Sequence, residues 1–421
     1  MKVNLRKINY ALIIFAIILN TTVMYTRLDS VHIAAVMRKS LVVILCLLGI
    51  VLEKKVTFGK RFFQSFLLVA GYLLLYAAFS RYNVIDYLES YVLIVLLFLA
   101  YAYILQKNNT FIEFCDTYEN IFIIISMITV FCWLFGSVLN ILPGRTAMTY
   151  MFGRSRTTYS YFYLYFENPV QNQSSILPRN CGIYCESPGY SGMLLYALGI
   201  EMFAHNKINP KKLGVLIVTL LTTQSTKGLI VLIIIMGLRY LTEGNEHMQR
   251  FRQALKFIFA GVLIVAISFS VWYILEGKAT THSYSARMNH LTSSIQTWLQ
   301  NPVFGAGYNN NEAIYENQAE GAGVGGLSMG LTAVLAKGGL YLIAFYFYAI
   351  LFAYKNWKIR IQRKNYFFFV LIIIMNLIIS NSGYSFPYMF MLGSAYAAGM
   401  QMNKMPKRQT VGEIQECHSL A

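Results

Sequence analysis

A helix that crosses a bilayer needs about 20 mostly apolar residues, and this chain offers such stretches along nearly its whole length. Twelve candidate segments run over about 8–25, 33–52, 62–80, 85–105, 118–142, 189–204, 212–224, 228–241, 255–275, 328–354, 366–381 and 384–402. No small-residue cleavage site follows the first, which is expected to be a retained span rather than a removed signal peptide. Two segments, 213–223 and 228–241, are short for a crossing. They flank QSTK (224–227), so either they tilt little and thin the bilayer, or they form a broken hairpin that lets Lys227 sit below the membrane surface. A charge at that depth is costly and marks function more often than decoration.

Composition agrees. Hydrophobic residues make up 57% of the 421 and charged ones only 13%, where a soluble domain carries about 25% charged residues. The formal net charge is nevertheless +17. A nucleic-acid footprint needs Lys and Arg clustered on a soluble face, and none is present. With both termini inside, 23 of the 35 cations fall in inner segments, as the positive-inside rule requires. The inner set holds 15 Lys and 8 Arg; the outer set holds 4 Lys and 8 Arg. The outer side therefore favours the planar guanidinium, which suits two-pronged contact with phosphate or carboxylate. The expected fold is an all-α, polytopic integral membrane protein. It forms a single membrane domain over 1–421, with about twelve transmembrane helices and two long external loops, 143–188 and 276–327.

Each loop carries chemistry-bearing residues. In the first, TTYSYFYLYFENP (157–169) places Tyr159, Tyr161, Tyr163 and Tyr165 at period two, the mark of a strand. Such rings serve either as an interfacial belt or as a stacking platform for sugars, with Arg154 and Arg156 beside them. The loop ends in RNCGIYCESPGY (179–190), where Arg179 and Glu186 form either a structural pair or part of a site. Cys181 and Cys185 are either a disulfide or two thiols, and nothing in the cysteine spacing points to a metal site. In the second loop, Met288, Leu291, Ile295, Trp298 and Leu299 lie on one helical face, which predicts an amphipathic helix over about 285–300 on the outer membrane surface. Arg287 lies in its first turn. NPVFGAGYNNN (301–311) lacks the strand and spacing of a nucleotide loop. GAGVGG (321–326) reads as a flexible lid or hinge. Lys337 is a second cation within an apolar segment.

Four of these stretches resemble the O-antigen polymerase and ligase superfamily. RNCGIYCESPGY (179–190) resembles the family's Arg-x-x-Gly-aromatic-x-Glu-Pro-like element, although Ser187 separates Glu186 from Pro188. LLTTQSTKG (220–228) resembles its Thr/Ser-rich break, with Lys227 where Arg is usual. SARMNHLTSSIQTWLQNPVFGAGYN (285–309) resembles the Arg-bearing helix followed by Asn-Pro-x-x-Gly-x-Gly. GLSMGLTAVLAKGGLYLIAFYFY (326–348) resembles the span after it. The ligase branch opens that span with His, where Ser328 stands here.

The resemblance implies glycosyl transfer on the outer face of a bacterial cytoplasmic membrane, with no cofactor and no metal. A sugar hydroxyl of one undecaprenyl diphosphate-linked repeat unit attacks the anomeric carbon of another, and undecaprenyl diphosphate leaves. It further implies catalytic roles for Arg179, Arg287 and Glu186, and substrate contacts for Lys227, Arg154, Arg156, Tyr184 and Lys337. Glu186 either orients Arg179 or acts as base. Implied partners are the lipid-linked donor and acceptor, the bilayer and a chain-length regulator, with no nucleic acid. A ligase, or a glycan flippase or other transporter, is the alternative.

Overall fold

The structure is a computed structural model that describes residues 4–29, 34–53, 56–80, 82–152, 154–169, 177–205, 207–242, 282–318, 330–357 and 384–400. The predicted spans 255–275 and 366–381 lie outside these residues, as do the glycine stretch 321–326 and Ser328. The helices are α1 (Leu5–Leu19), α2 (Ala35–Leu52), α3 (Lys60–Phe79), α4 (Val84–Lys107), α5 (Phe111–Val138), α6 (Ser187–Phe203), α7 (Pro210–Thr222), α8 (Thr226–Thr242), α9 (His282–Gln300), α10 (Gly330–Trp357) and α11 (Phe386–Met400). Among the described residues five are long and apolar enough to cross a membrane: α2, α3, α4, α5 and the Gly330–Leu351 part of α10. The predicted segments 8–25, 189–204, 212–224, 228–241 and 384–402 appear as α1, α6, α7, α8 and α11, each of 17 residues or fewer.

Burial sorts the helices into centre and periphery. Every residue of α11 is buried, and so is nearly all of α6. A helix apolar on every side belongs inside a bundle, and α11 packs against α4 and α10, while α6 packs against α5, α7 and α8. On α2 and α3, by contrast, Val36, Met37, Ile44, Leu67 and Leu68 are exposed, the expected state of side chains that face lipid.

One correction to the all-α expectation concerns the first loop. Residues 145–167 form a three-stranded antiparallel sheet, β1 (Arg145–Phe152), β2 (Arg154–Tyr161) and β3 (Tyr165–Glu167), in the order β1-β2-β3. The four alternating tyrosines do not share one strand. Phe162 and Tyr163 take φ of 54° and 59°, which turns the chain so that Tyr161 pairs with Tyr165 across a hairpin. Positive φ at two successive residues is the geometry of a tight hairpin turn that matches the strand twist. Tyr161 and Tyr165 are buried, whereas Phe162 and Tyr163 are exposed.

The second loop is anchored to a break in α10. Ala306 and Gly307 donate backbone hydrogen bonds to the carbonyls of Ala336 and Lys337 at 2.8 and 3.0 Å, and Leu340 and Tyr341 donate to Pro302 and Val303 at 3.0 and 2.9 Å. Gly339 (φ 60°, ψ −166°) interrupts the helix there. A Cβ on it would meet the Val303 carbonyl oxygen at 2.2 Å, so only glycine permits this approach. The helix carbonyls freed by the break thus find partners in the glycine-rich loop.

Candidate functional site

Two helix starts meet at the sheet end of the bundle. The chain enters α6 through 177–186 and enters α8 through the turn 223–225, where Gln224 adopts φ 48°. These segments are tied by hydrogen bonds. The Asn180 amide and side chain donate to the Thr222 carbonyl and hydroxyl, both at 3.0 Å, and the Gln224 side chain donates to the Leu177 carbonyl at 3.1 Å. Inside α6, the Ser191 hydroxyl lies 3.0 Å from that of Ser225. Ser225 caps α8, accepting from the Gly228 amide at 3.3 Å, the usual use of a small hydroxyl before a helix.

Lys227 sits in the first turn of α8 and is buried. Among the described residues no hydrogen bond or ion pair engages its ammonium group, and its neighbour Gly228 packs on Ser191 of α6. Glu186 is the N-cap of α6, yet its carboxylate makes no capping bond. Arg179 and Glu186 are both half-buried. The structure therefore brings the segment of Arg179, Tyr184 and Glu186 against the segment of Lys227. Helix N-termini present free amides and a positive dipole end, which suit an anion.

The sheet and the 22–29 segment brace this junction. Met24 donates to the Ile183 carbonyl at 2.9 Å, Cys185 to Thr22 at 3.0 Å and Phe166 to Gly182 at 2.9 Å. Met24, Leu28, Tyr150, Phe166 and Cys185 form a small core beneath them. Cys181 and Cys185 are free, buried thiols. Burial pushes the Cys185 thiol up to about 12 despite the pull of Arg27 and Arg156, so it stays protonated.

The remaining candidates are dispersed. Tyr184 is fully buried and stacks on Tyr190 at 5.6 Å, a position suited to holding the loop. Arg156 faces Tyr150 across β1 and β2 and lies 5.6 Å from the Phe152 ring. Arg154 pairs with Phe152 at the end of β2. Arg287 lies on α9, which runs from 282 rather than 285 and packs against α10; the side chains of Arg154 and Arg287 lie outside the described residues. On α9 the buried residues are His290, Ser293, Ser294 and Thr297, while Met288, Ile295 and Leu299 are exposed. Small polar side chains thus pack on protein, and Met288, Ile295 and Leu299 point outward together with Thr292, Gln296 and Gln300. Burial holds the His290 imidazole below its usual range. Lys337 is buried beside the α10 break, 5.8 Å from the Tyr384 ring. It is not part of the Lys227 junction.

At the opposite end of α6 and α7 the charges are paired. His205 Nε2 lies 3.3 Å from Asp116 and 3.3 Å from Glu119, and Lys212 Nζ lies 3.3 Å from the same Glu119 oxygen. The hydrogen bond with Glu119 raises the His205 pKa above its usual value. Asp116, Glu119 and His205 are the group among the described residues whose ligand atoms, within 4.8 Å of one another, resemble a metal set. Lys212 already supplies a cation there.

Sequence reasoning did not single out Asn180, Ser191, Thr222 or Ser225. Their signal is weak, because small polar residues at helix ends are common. Helices, their lipid-facing stripes and this junction define a polytopic helical membrane protein. Residues 213–339 match the family model described as O-Antigen ligase. The match supports the O-antigen polymerase and ligase superfamily. It spans the Lys227 break, α9 and the glycine-rich loop, and it ends at the Gly338–Gly339 pair; the 179–190 element lies outside it. Searches of curated proteins and of solved structures give no match.

Proposed function

We propose that this protein is a polymerase of undecaprenyl diphosphate-linked oligosaccharide repeat units, acting on the outer face of a bacterial cytoplasmic membrane with both termini inside. The observation that carries this reading is Lys227, a buried cation at a helix start with no counter-charge among the described residues. It faces the start of a second helix through Ser191 and Ser225. A diphosphate is the anion that such a junction fits, since two helix dipoles and a cation converge on it. As the glycosyl bond breaks, negative charge grows on the leaving diphosphate, and fixed positive groups stabilise it there. In this reading Lys227 and Arg179 bind the diphosphate, with Arg287 brought to it by α9 and Arg154 and Arg156 in supporting contacts. Glu186 orients Arg179, because a carboxylate beside a guanidinium is a weakened base. Ser328 in place of the ligase branch's His favours extension over transfer to a final lipid acceptor.

The test is deletion of the gene in its host and inspection of the surface glycan as a gel ladder. Loss of a polymerase leaves single repeat units on the final acceptor. Polymer stranded on the carrier lipid indicates a ligase, and repeat units trapped inside indicate a flippase; either result sinks the proposal.

A further inference from the structure

Lys337 is a second buried cation without a counter-charge among the described residues. It is 3% exposed, and no hydrogen bond or ion pair engages its ammonium there. The group it faces is the Tyr384 ring at 5.8 Å. A ring face at that range offsets only part of the cost of burying an ammonium. The break in α10 gives no relief. The Ala336 and Lys337 carbonyls already accept from the Ala306 and Gly307 amides, and the Lys337 carbonyl also accepts from the Tyr76 hydroxyl at 2.7 Å. Asp86, at the start of α4, is engaged by Lys39 at 3.4 Å and by Ser90 at 2.6 Å.

The surroundings are built from rings. Tyr76, Tyr87, Tyr91, Tyr308 and Tyr384 form a contiguous cluster with neighbouring centroids 4.8 to 5.8 Å apart. The Tyr384 hydroxyl is buried without a hydrogen-bond partner. Tyr91 lies in a π-helical stretch of α4, Leu88–Val92. Such stretches inside α-helices recur at functional sites, and this one meets the Gly339 break across the tyrosines. The cluster lies at the sheet end of the bundle. Arg38 at the start of α2 donates to the Leu19 carbonyl at the end of α1, and its neighbour Lys39 reaches Asp86. The chain leaving α1 runs on through 22–29, which braces the sheet and the approach to α6. Lys227 and Lys337 therefore lie at one end of the bundle, in separate sites.

We propose that Lys337 and the Tyr384 hydroxyl bind the diphosphate of a second lipid-linked glycan, the acceptor. This rests on the glycan-polymerase reading, which requires two lipid-linked units at one membrane face and puts the departing diphosphate at Lys227. A phosphate oxygen accepts from both groups, so it satisfies the buried charge and the orphaned hydroxyl together. A neutral sugar would satisfy the hydroxyl and leave the charge. The acceptor's diphosphate is neither made nor broken in the transfer. It needs a grip that is equal before and during the reaction, which an ammonium and a phenol supply.

The experiment uses the full chain in detergent micelles, with native mass spectrometry counting bound farnesyl diphosphate, a short lipid diphosphate. The parent is expected to take two molecules, and Lys337→Met and Lys227→Met one each. One molecule in the parent, or two in Lys337→Met, overturns the site. Two in Lys227→Met but one in Lys337→Met would instead remove the Lys227 reading and leave the Lys337 site standing. Displacement of the second molecule by equimolar phosphatidylglycerol would make this a phospholipid site and overturn the acceptor assignment. Should Lys337→Met not fold, Tyr384→Phe removes only the hydroxyl and is expected to weaken the second binding event about tenfold; unchanged binding overturns the proposal. With lipid-linked repeat units extracted from the host, Lys337→Met is expected to raise the half-saturating concentration about tenfold or more while the saturating rate holds. That split marks a contact equal in ground and transition states. A collapse of the saturating rate would put Lys337 at the leaving group and overturn its assignment to the acceptor.

Discussion

The two ends of α6 and α7 handle charge in opposite ways. At one end His205, Lys212, Asp116 and Glu119 neutralise one another at 3.3 Å. Nearby, Arg6 joins Glu53 and Glu113 at 3.9 and 3.0 Å. At the other end, cations gather with hydroxyls and helix starts, and among the described residues Lys227 has no carboxylate. Burying an unpaired charge is expensive. On the proposed function, the charge left unpaired at the second end is the one that meets the ligand. The contrast is between charges paired within the bundle and a buried cation without a carboxylate among the described residues.

The contrast is broken most directly at Lys227. Lys227→Met is expected to cut chain extension by roughly a thousandfold, about 4 kcal/mol, as removal of a charge-stabilising donor does. Its melting temperature in detergent should hold or rise, because an unpaired buried charge has gone. A fall in melting temperature with extension intact would make Lys227 structural. Next comes Glu119→Ala, which leaves His205 and Lys212 without their shared partner. Breaking a buried pair costs about 3 kcal/mol, so thermal unfolding should shift down while specific activity per folded molecule stays near that of the parent. An unmoved unfolding curve would dissolve the contrast.

Ser225→Ala sharpens the outer side on a smaller scale. Loss of the α8 cap is worth about 1 kcal/mol, and it also removes the contact with Ser191. A small drop in stability with a weaker grip on pyrophosphate is expected; a drop in stability alone would confine Ser225 to capping. The smallest effect concerns pH. The folded pKa of His205 is raised, so its stabilisation is complete below about 6.5 and is lost as pH rises through the folded value. Relative to His205→Gln, the parent should lose melting temperature across that interval, by about 2 °C. Parallel curves for the two proteins would mean that the imidazole does not charge there.

Much of the frame was legible before any fold was known. The apolar segments within the described residues became helices, because each satisfies its own backbone hydrogen bonds and needs only length and apolarity. The alternation over 157–165 was legible as strand, yet the hairpin at Phe162 and Tyr163 was not. Neither residue is one of the small turn formers that announce positive φ. The break at Gly339 was visible as a glycine pair, but its partner loop 302–307 was not, since the hydrogen bonds between them come from backbone groups that every residue carries.

The same division holds at the site. Sequence alone determined that Lys227 would be a cation next to an apolar helix, because composition and local spacing decide which charges lie within spans. Only the tertiary structure decided which cations keep a partner. His205 meets Glu119 across 86 positions of chain, and Ser191 meets Ser225 across 34. Pairing at such separations depends on which helix ends the packing brings together, and packing is a property of all the helices at once.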